Sequence, residues 1–423
     1  MAPAQNDNVL SSEQLRDQVV NSITLHKTAL SNINNKIHQN PELKYQEHQA
    51  HDNICNLMES LGYEVIRHAH SIETSFQVES GRGGRLIVFN AEYDALPGIG
   101  HACGHNLIAT SSIAAFIATA EAIKTRNIPG RVRLLGTPAE ESGGGKNKLI
   151  RAGAYHNVDA CLMAHPGPSY KKHPGSAKAI DGISATRSLA RKQVVVTFRG
   201  KNAHAGFKPW AGNNALDAVV ASYVNISLLR QQIPPSARIH GVIRQGGAEP
   251  NIIPDYACLE YYIRDSDAES VDQLALRVEK CFEAGALAAA CSVECAWNDE
   301  VEYKDLRPNM TIAEIFTKNM ALIGKTYLCD GRAEIMGAST DMGNVCYEVP
   351  GFHCSFSVGC EDQDASPHHP KFAAAAGTDT ALELALSCAQ GMAMTAYDLL
   401  TNNEKFEQMR EEFAEDIGKV SSR

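Results

Sequence analysis

Apolar residues recur along this chain with two periods, and the alternation between the periods lays out a layered architecture. Over residues 12–60 the spacing is helical, in a polar background that also carries His38, Pro41, Glu42 and Glu47. Short strand patterns follow at 63–67 and 75–79. The stronger strands lie at 86–90, 132–136 and 158–164; each is β-branched or leucine-rich and ends in a polar or glycine-bearing loop, with helical runs between. This order predicts an α/β domain with a mostly parallel sheet, in which ligands bind beyond the carboxyl ends of the strands.

Near Lys192 the pattern changes. Residues 193–199 read as a strand, 213–232 as a helix, 238–245 and 256–264 as two strands, 268–289 as a helix, and 292–297 as a strand. That succession is βαββαβ, the ferredoxin-like split βαβ sandwich. From about 304 the first pattern resumes, with a helix near 312–323, a strand at 352–358 and a final apolar helix from Thr380. The expected organisation is therefore a discontinuous α/β domain, 1–188 and 304–423, interrupted by an inserted domain at 189–303. The tail over 404–419 is charged at helical spacing and reads as a solvated helix.

At 423 residues the chain exceeds what one core fills, since single cores stop growing at roughly 250 to 300 residues. A 44% hydrophobic and 21% charged composition predicts folded protein almost throughout. The net charge of -10, with no cluster of basic residues interleaved with aromatics, argues against nucleic acid. The apolar runs at 107–120 and 381–394 are short and interrupted by polar residues, so buried helices are expected and no membrane span. Residues 1–10 show neither a basic n-region nor an apolar h-region, and the twelve cysteines have no framework spacing. Reduced thiols and a cytoplasmic location are the expectation.

The candidate chemistry gathers at the strand ends. His101-Ala102-Cys103-Gly104-His105 places a thiolate and an imidazole two residues apart at the start of an apolar helix, and soft S/N ligation suits zinc. Thr137-Pro138-Ala139-Glu140-Glu141 closes one strand with adjacent carboxylates, Met163-Ala164-His165-Pro166 closes another, and Ser366-Pro367-His368-His369-Pro370 precedes the last helix. Each alone also fits a bland role: a packed cysteine, a solvated glutamate pair, a structural histidine. Together Cys103, His105, Glu141, His165 and His368 supply five S/N/O ligands, enough for two ions sharing a bridge. Glu140 is then free to serve as general base toward water.

The ordered set AEYDALPG, GHACGHN, TPAEE, MAHPG and PHHPKF resembles metallopeptidase family twenty over nearly the whole chain. This family holds aminoacylases, carboxypeptidase G and the amino-acid-conjugate amidohydrolases. The cysteine in HACGH is similar to the amidohydrolase branch, and GHACGHNLIA, HGVIRQGG, PNIIP and STDMGN are closest to its peptidase domain-containing protein 2 subgroup, similar to β-alanyl-lysine or Xaa-Arg dipeptidases.

The resemblance implies that Cys103 bridges the ions, with His105 and His165 completing one site and Glu141 and His368 the other. It makes Glu140 base and proton shuttle, and Asp94 a residue near the metals that orients a ligand histidine. The inserted domain is implied to form a homodimer, with His204 reaching the partner's active site to hold the substrate carbonyl or oxyanion. Asn251 is implied to contact substrate, and Ser339 and Thr340 are candidates for shaping the pocket. Two positions depart from the pattern: Asn106 stands where the branch commonly has aspartate, and Glu92 where distant members keep a ligand histidine, so no metal-binding role is carried to Glu92.

The resulting expectation is a dinuclear metallohydrolase of a small dipeptide or amino-acid conjugate. Two divalent ions are expected, zinc favoured over manganese or cobalt. The alternatives are a hydrolase of N-acyl amino acids or of a pathway-specific conjugate and, more remotely, a non-catalytic binding protein on the same fold.

Overall fold

The computed structural model describes residues 9–170, 180–331, 335–362 and 364–421. The first eight residues of the amino-terminal stretch discussed above lie outside this range. In chain order the strands are β1 (Val65–Arg67), β2 (Phe76–Arg82), β3 (Leu86–Ala91), β4 (Gly130–Gly136), β5 (Ala160–Gly167), β6 (Gly182–Ile183) and β7 (Ala190–Arg199). They continue with β8 (Ala203–His204), β9 (Arg238–Gln245), β10 (Ile252–Ile253), β11 (Tyr256–Asp265), β12 (Ser292–Trp297), β13 (Tyr327–Leu328) and β14 (Gly351–Ser357).

The chain forms two compact units. The first comprises Met1–Arg187, Arg307–Glu334 and Asn344–Arg423, and is built on an eight-stranded sheet in the order β1-β2-β4-β3-β5-β14-β6-β13. The contiguous strands β4, β3, β5 and β14 are parallel. Antiparallel pairing is confined to the flanks, where β2 joins β1 and β4, and β6 joins β14. All six residues of β3 are buried, as expected of a parallel strand covered on both faces.

Helix His105–Thr125 is buried on nearly every side. It is long and apolar enough to cross a membrane by composition, and 94% of its most apolar window is packed inside the unit. Its cover includes helices Ser12–Gln39 and Asp379–Thr401, whose Leu30, Ile33, Leu386 and Met392 belong to the same apolar cluster. The helical spacing over 12–60 resolves into two helices, Ser12–Gln39 and His48–Ser60. Pro41 explains the break: a residue before proline is driven out of the α region, and Asn40 sits at φ -124°, ψ 71°.

The second unit comprises Ser188–Leu306 and Ile335–Gly343. Its four-stranded antiparallel sheet runs β12-β7-β11-β9, which in order of appearance is 4-1-3-2, the ferredoxin-like arrangement. Helices Ala215–Leu229 and Ala268–Ala288 pack on it through Val219, Ile226, Val278 and Phe282. The segment Ile335–Gly343 joins this unit through backbone pairing, with Leu189 N–H donating to Ala338 O at 2.9 Å. Such a contact between distant segments leaves no periodic trace in sequence. The same holds for the two-residue strands β6, β8, β10 and β13, which are too short to show a period.

Candidate metal centre

Three strand ends in the first unit deliver much of the chemistry. After β3, the loop brings Glu92 and Asp94; after β4 a tight turn carries Glu140 and Glu141; the end of β5 carries His165. Between Cys103 and His105 the backbone turns through Gly104 at φ 75°, where a Cβ would meet Pro166 Cγ at 2.5 Å. Glycine is therefore required, for conformation and for space. His368, at φ 67°, is tied to the same loop by its N–H, which donates to Ala102 O at 2.8 Å.

The side chains converge. Donor atoms of Cys103, His105 and His165 lie within 4.8 Å of one another, as do those of Cys103, Glu141 and His368, so Cys103 is common to both groups. Cys103 Sγ is 3.5 Å from His165 Nε2, and Glu141 Oε1 is 3.3 Å from His368 Nε2 and 3.9 Å from His105 Nε2. His105 Nε2 and Glu141 Oε1 are buried with no hydrogen-bond partner. Buried polar atoms without partners are costly, and their convergence on one point fits a cation.

Asp94 organises the floor of this centre. Its Oδ1 is 3.0 Å from His105 Nδ1, and its Oδ2 accepts from Glu141 N–H at 2.9 Å. Burial alone would raise the Asp94 pKa, but His105 and the Glu141 amide outweigh it and the carboxyl stays below its usual range. Burial pulls His105 down, yet Asp94 and Cys103 hold the imidazole well above its ordinary value. Burial, reinforced by Glu141, pushes the Cys103 thiol well up, so thiolate formation calls for a compensating cation.

One buried ion pair beside the centre was not foreseen. Glu92 and Lys146 are fully buried, with Lys146 Nζ 2.5 Å from Glu92 Oε1, while Glu92 Oε2 lies 3.6 Å from His105 Nε2. Glu92, His105 and Glu140 also place donor atoms within 4.8 Å of one another. Glu92 stood out in the sequence, but Lys146 is 54 residues away beyond a glycine run and nothing local connects them.

The remaining candidates lie in the second unit. Exposed His204 pairs in register with Ile252, and its Nδ1 accepts from the N–H groups of Gly206 and Phe207 at 3.2 and 3.0 Å. Asn251 supports that strand pairing through its backbone, accepting from Ala205 N–H at 2.9 Å. Ser339 Oγ accepts from Arg264 at 2.7 Å, and Thr340 Oγ1 accepts from Met342 N–H at 3.2 Å. Both hydroxyls are thus engaged within the unit.

A family model described as peptidase family M20/M25/M40 matches residues 88–390, which span every strand-end donor described above. The chain belongs to this family. The M20 assignment agrees with whole-chain similarity to the Xaa-Arg dipeptidases of Mus musculus and Homo sapiens. The mouse protein is 37% identical over 95% of this chain and 92% of its own length, the human one 37% over 91% and 88%. Among solved structures, a dinuclear metal-binding M20 peptidase from Bacillus subtilis superposes with a TM-score of 0.67 at 22% identity, covering 90% of this chain and 99% of that one. This M20 protein is a metal-dependent hydrolase of the dipeptidase and amidohydrolase type, with donor groups for two divalent ions.

Proposed function

We propose that this chain is a cytoplasmic dipeptidase that removes a basic residue, arginine or lysine, from a small dipeptide, with zinc at both metal positions. Similarity to Xaa-Arg dipeptidases across nearly the whole chain carries the substrate class. Zinc is favoured by the thiolate and imidazole donors. Bound between Cys103, His105, His165, Glu141 and His368, two such ions would supply polarisation of the scissile carbonyl and a water of lowered pKa.

The protein's own groups do the rest. Glu140 takes the proton of the attacking water and returns it to the leaving amine. Asp94 fixes the His105 tautomer through Nδ1, so that Nε2 points at the centre. His204 donates to the developing oxyanion, and Asn251 contacts substrate.

His204 acts, in this reading, within a homodimer formed through the second unit. Helix Ala215–Leu229 exposes Val220, Tyr223, Val224 and Leu228, a stripe at helical spacing, and β9 is an edge strand exposing Val242 and Ile243. An apolar stripe beside an open edge suits a second copy. Mixing inactive Glu140→Ala with inactive His204→Ala protein then restores part of the activity. Absence of recovery in demonstrated heterodimers would reject the trans role.

The substrate reading is tested with a panel of β-alanyl-lysine, Xaa-Arg and Xaa-Lys dipeptides, and N-acyl amino acids. Highest kcat/KM on the basic dipeptides is expected. Preference for N-acyl amino acids would assign the enzyme to deacylation, and no hydrolysis with no stoichiometric metal would point to a binding protein.

A further inference from the structure

The turn carrying Glu140 and Glu141 is strained. Ala139 (φ 60°, ψ 42°) and Ser142 (φ 60°, ψ 24°) both occupy the left-handed region, Gly144 does so at φ 63°, and Glu141 departs from helical geometry at ψ 81°. Such conformations are costly for non-glycine residues and persist only where surroundings over-determine them.

Asp94 holds the Glu141 amide from one side, and the contacts that flank the two glutamates come from one short segment, the linker between helices Ser12–Gln39 and His48–Ser60. Glu47 Oε1 accepts from Ala139 N–H at 2.9 Å, Lys44 Nζ donates to Ser142 O at 3.0 Å, and Tyr45 Oη donates to Gly143 O at 2.7 Å. The three contacts fall on backbone atoms on both sides of Glu140 and Glu141. A Cβ on Gly143 would lie 3.3 Å from the Tyr45 ring and 3.4 Å from Lys44 Cδ, so the linker also packs closely on the turn. Glu47 is in turn fixed by Thr74 Oγ1, which donates to its Oε2 at 2.8 Å. The linker is itself braced: Glu42 caps the second helix by accepting from the N–H groups of Gln49 and Ala50, and Glu42 O accepts from Ala95 N–H, next to Asp94.

We infer that Lys44, Tyr45 and Glu47 are positioning residues that hold the 139–143 turn in its strained form and thereby aim the Glu140 carboxylate. This rests on Glu140 being the general base. Misplacing a catalytic group by about 1 Å can cost on the order of a hundredfold in rate, so loss of the bracket acts on turnover more than on substrate affinity.

The test compares wild type, Glu47→Ala, Glu47→Gln and the double variant Lys44→Met/Tyr45→Phe, all full length and metal-loaded. For each, kcat and KM are measured with the best dipeptide of the panel, bound metal by elemental analysis, and folding by circular dichroism. Glu47→Ala and the double variant should lose about ten- to a hundredfold in kcat, with KM within about threefold of wild type and both ions retained. Glu47→Gln keeps the amide oxygen that Ala139 N–H needs and should recover kcat to within about threefold of wild type. Unchanged kcat in the folded double variant would overturn the inference, as would a Glu47→Gln protein as impaired as Glu47→Ala. The double variant alters only side chains that are exposed or half-buried and decides the question even where Glu47→Ala does not fold. A wild type that hydrolyses no dipeptide would instead reject the parent reading.

Discussion

Asp94 Oδ1 lies 3.0 Å from His105 Nδ1, both side chains fully buried, so the imidazole presents its other nitrogen to the centre in a single orientation. The same carboxylate accepts from Glu141 N–H through Oδ2, coupling two donors on different loops. Asp94→Asn keeps the shape and loses the charge. Outer partners of metal-binding histidines typically contribute about 10- to 100-fold in affinity. A drop of that size in zinc affinity is expected, measured by competition with a chromophoric chelator.

The Glu92–Lys146 pair has no solvent to fall back on. Removing one member of a buried pair strands the other, at roughly 3–5 kcal/mol. Lys146→Met should lose stability on that scale in denaturant titration, and Glu92→Gln/Lys146→Met should recover most of it. A Lys146→Met protein as stable as wild type would show that Glu92 is neutralised by something else.

Glu47 gives stability a pH dependence. Burial, with a smaller contribution from Asp94, pushes its carboxyl from 4.5 to about 8. The folded chain thus binds this proton more tightly than the unfolded chain. The contribution is fully present below the unfolded value and is lost as pH rises through the folded one, so the window runs from 4.5 to about 8. In metal-free protein, unfolding free energy should fall across that window, and Glu47→Gln should flatten the fall. Equal slopes in both proteins would exclude Glu47 as the source.

Much of this was readable in advance because it is local. Buried β3 and helix His105–Thr125 announce themselves as apolar runs, and Cys103 with His105, or Glu140 with Glu141, are neighbours in the chain. Pro41 marks the helix break that periodicity over 12–60 conceals. What stayed hidden depends on contact between distant segments. Lys146 finds Glu92 across 54 residues, and Glu47 finds Ala139 across 92. Glu42 and Glu47 stood out as acids in a polar segment of helical spacing, but nothing in that spacing says which backbone they hold.

The most direct measurement takes kcat and bound metal on the same sample of Glu140→Gln. Both ions should remain at wild-type stoichiometry, because the five donors are untouched, while kcat falls by about 10²- to 10⁴-fold, the usual worth of a positioned base. Wild-type kcat in fully metal-loaded Glu140→Gln would contradict Glu140 as the base and with it the proposed chemistry of the centre.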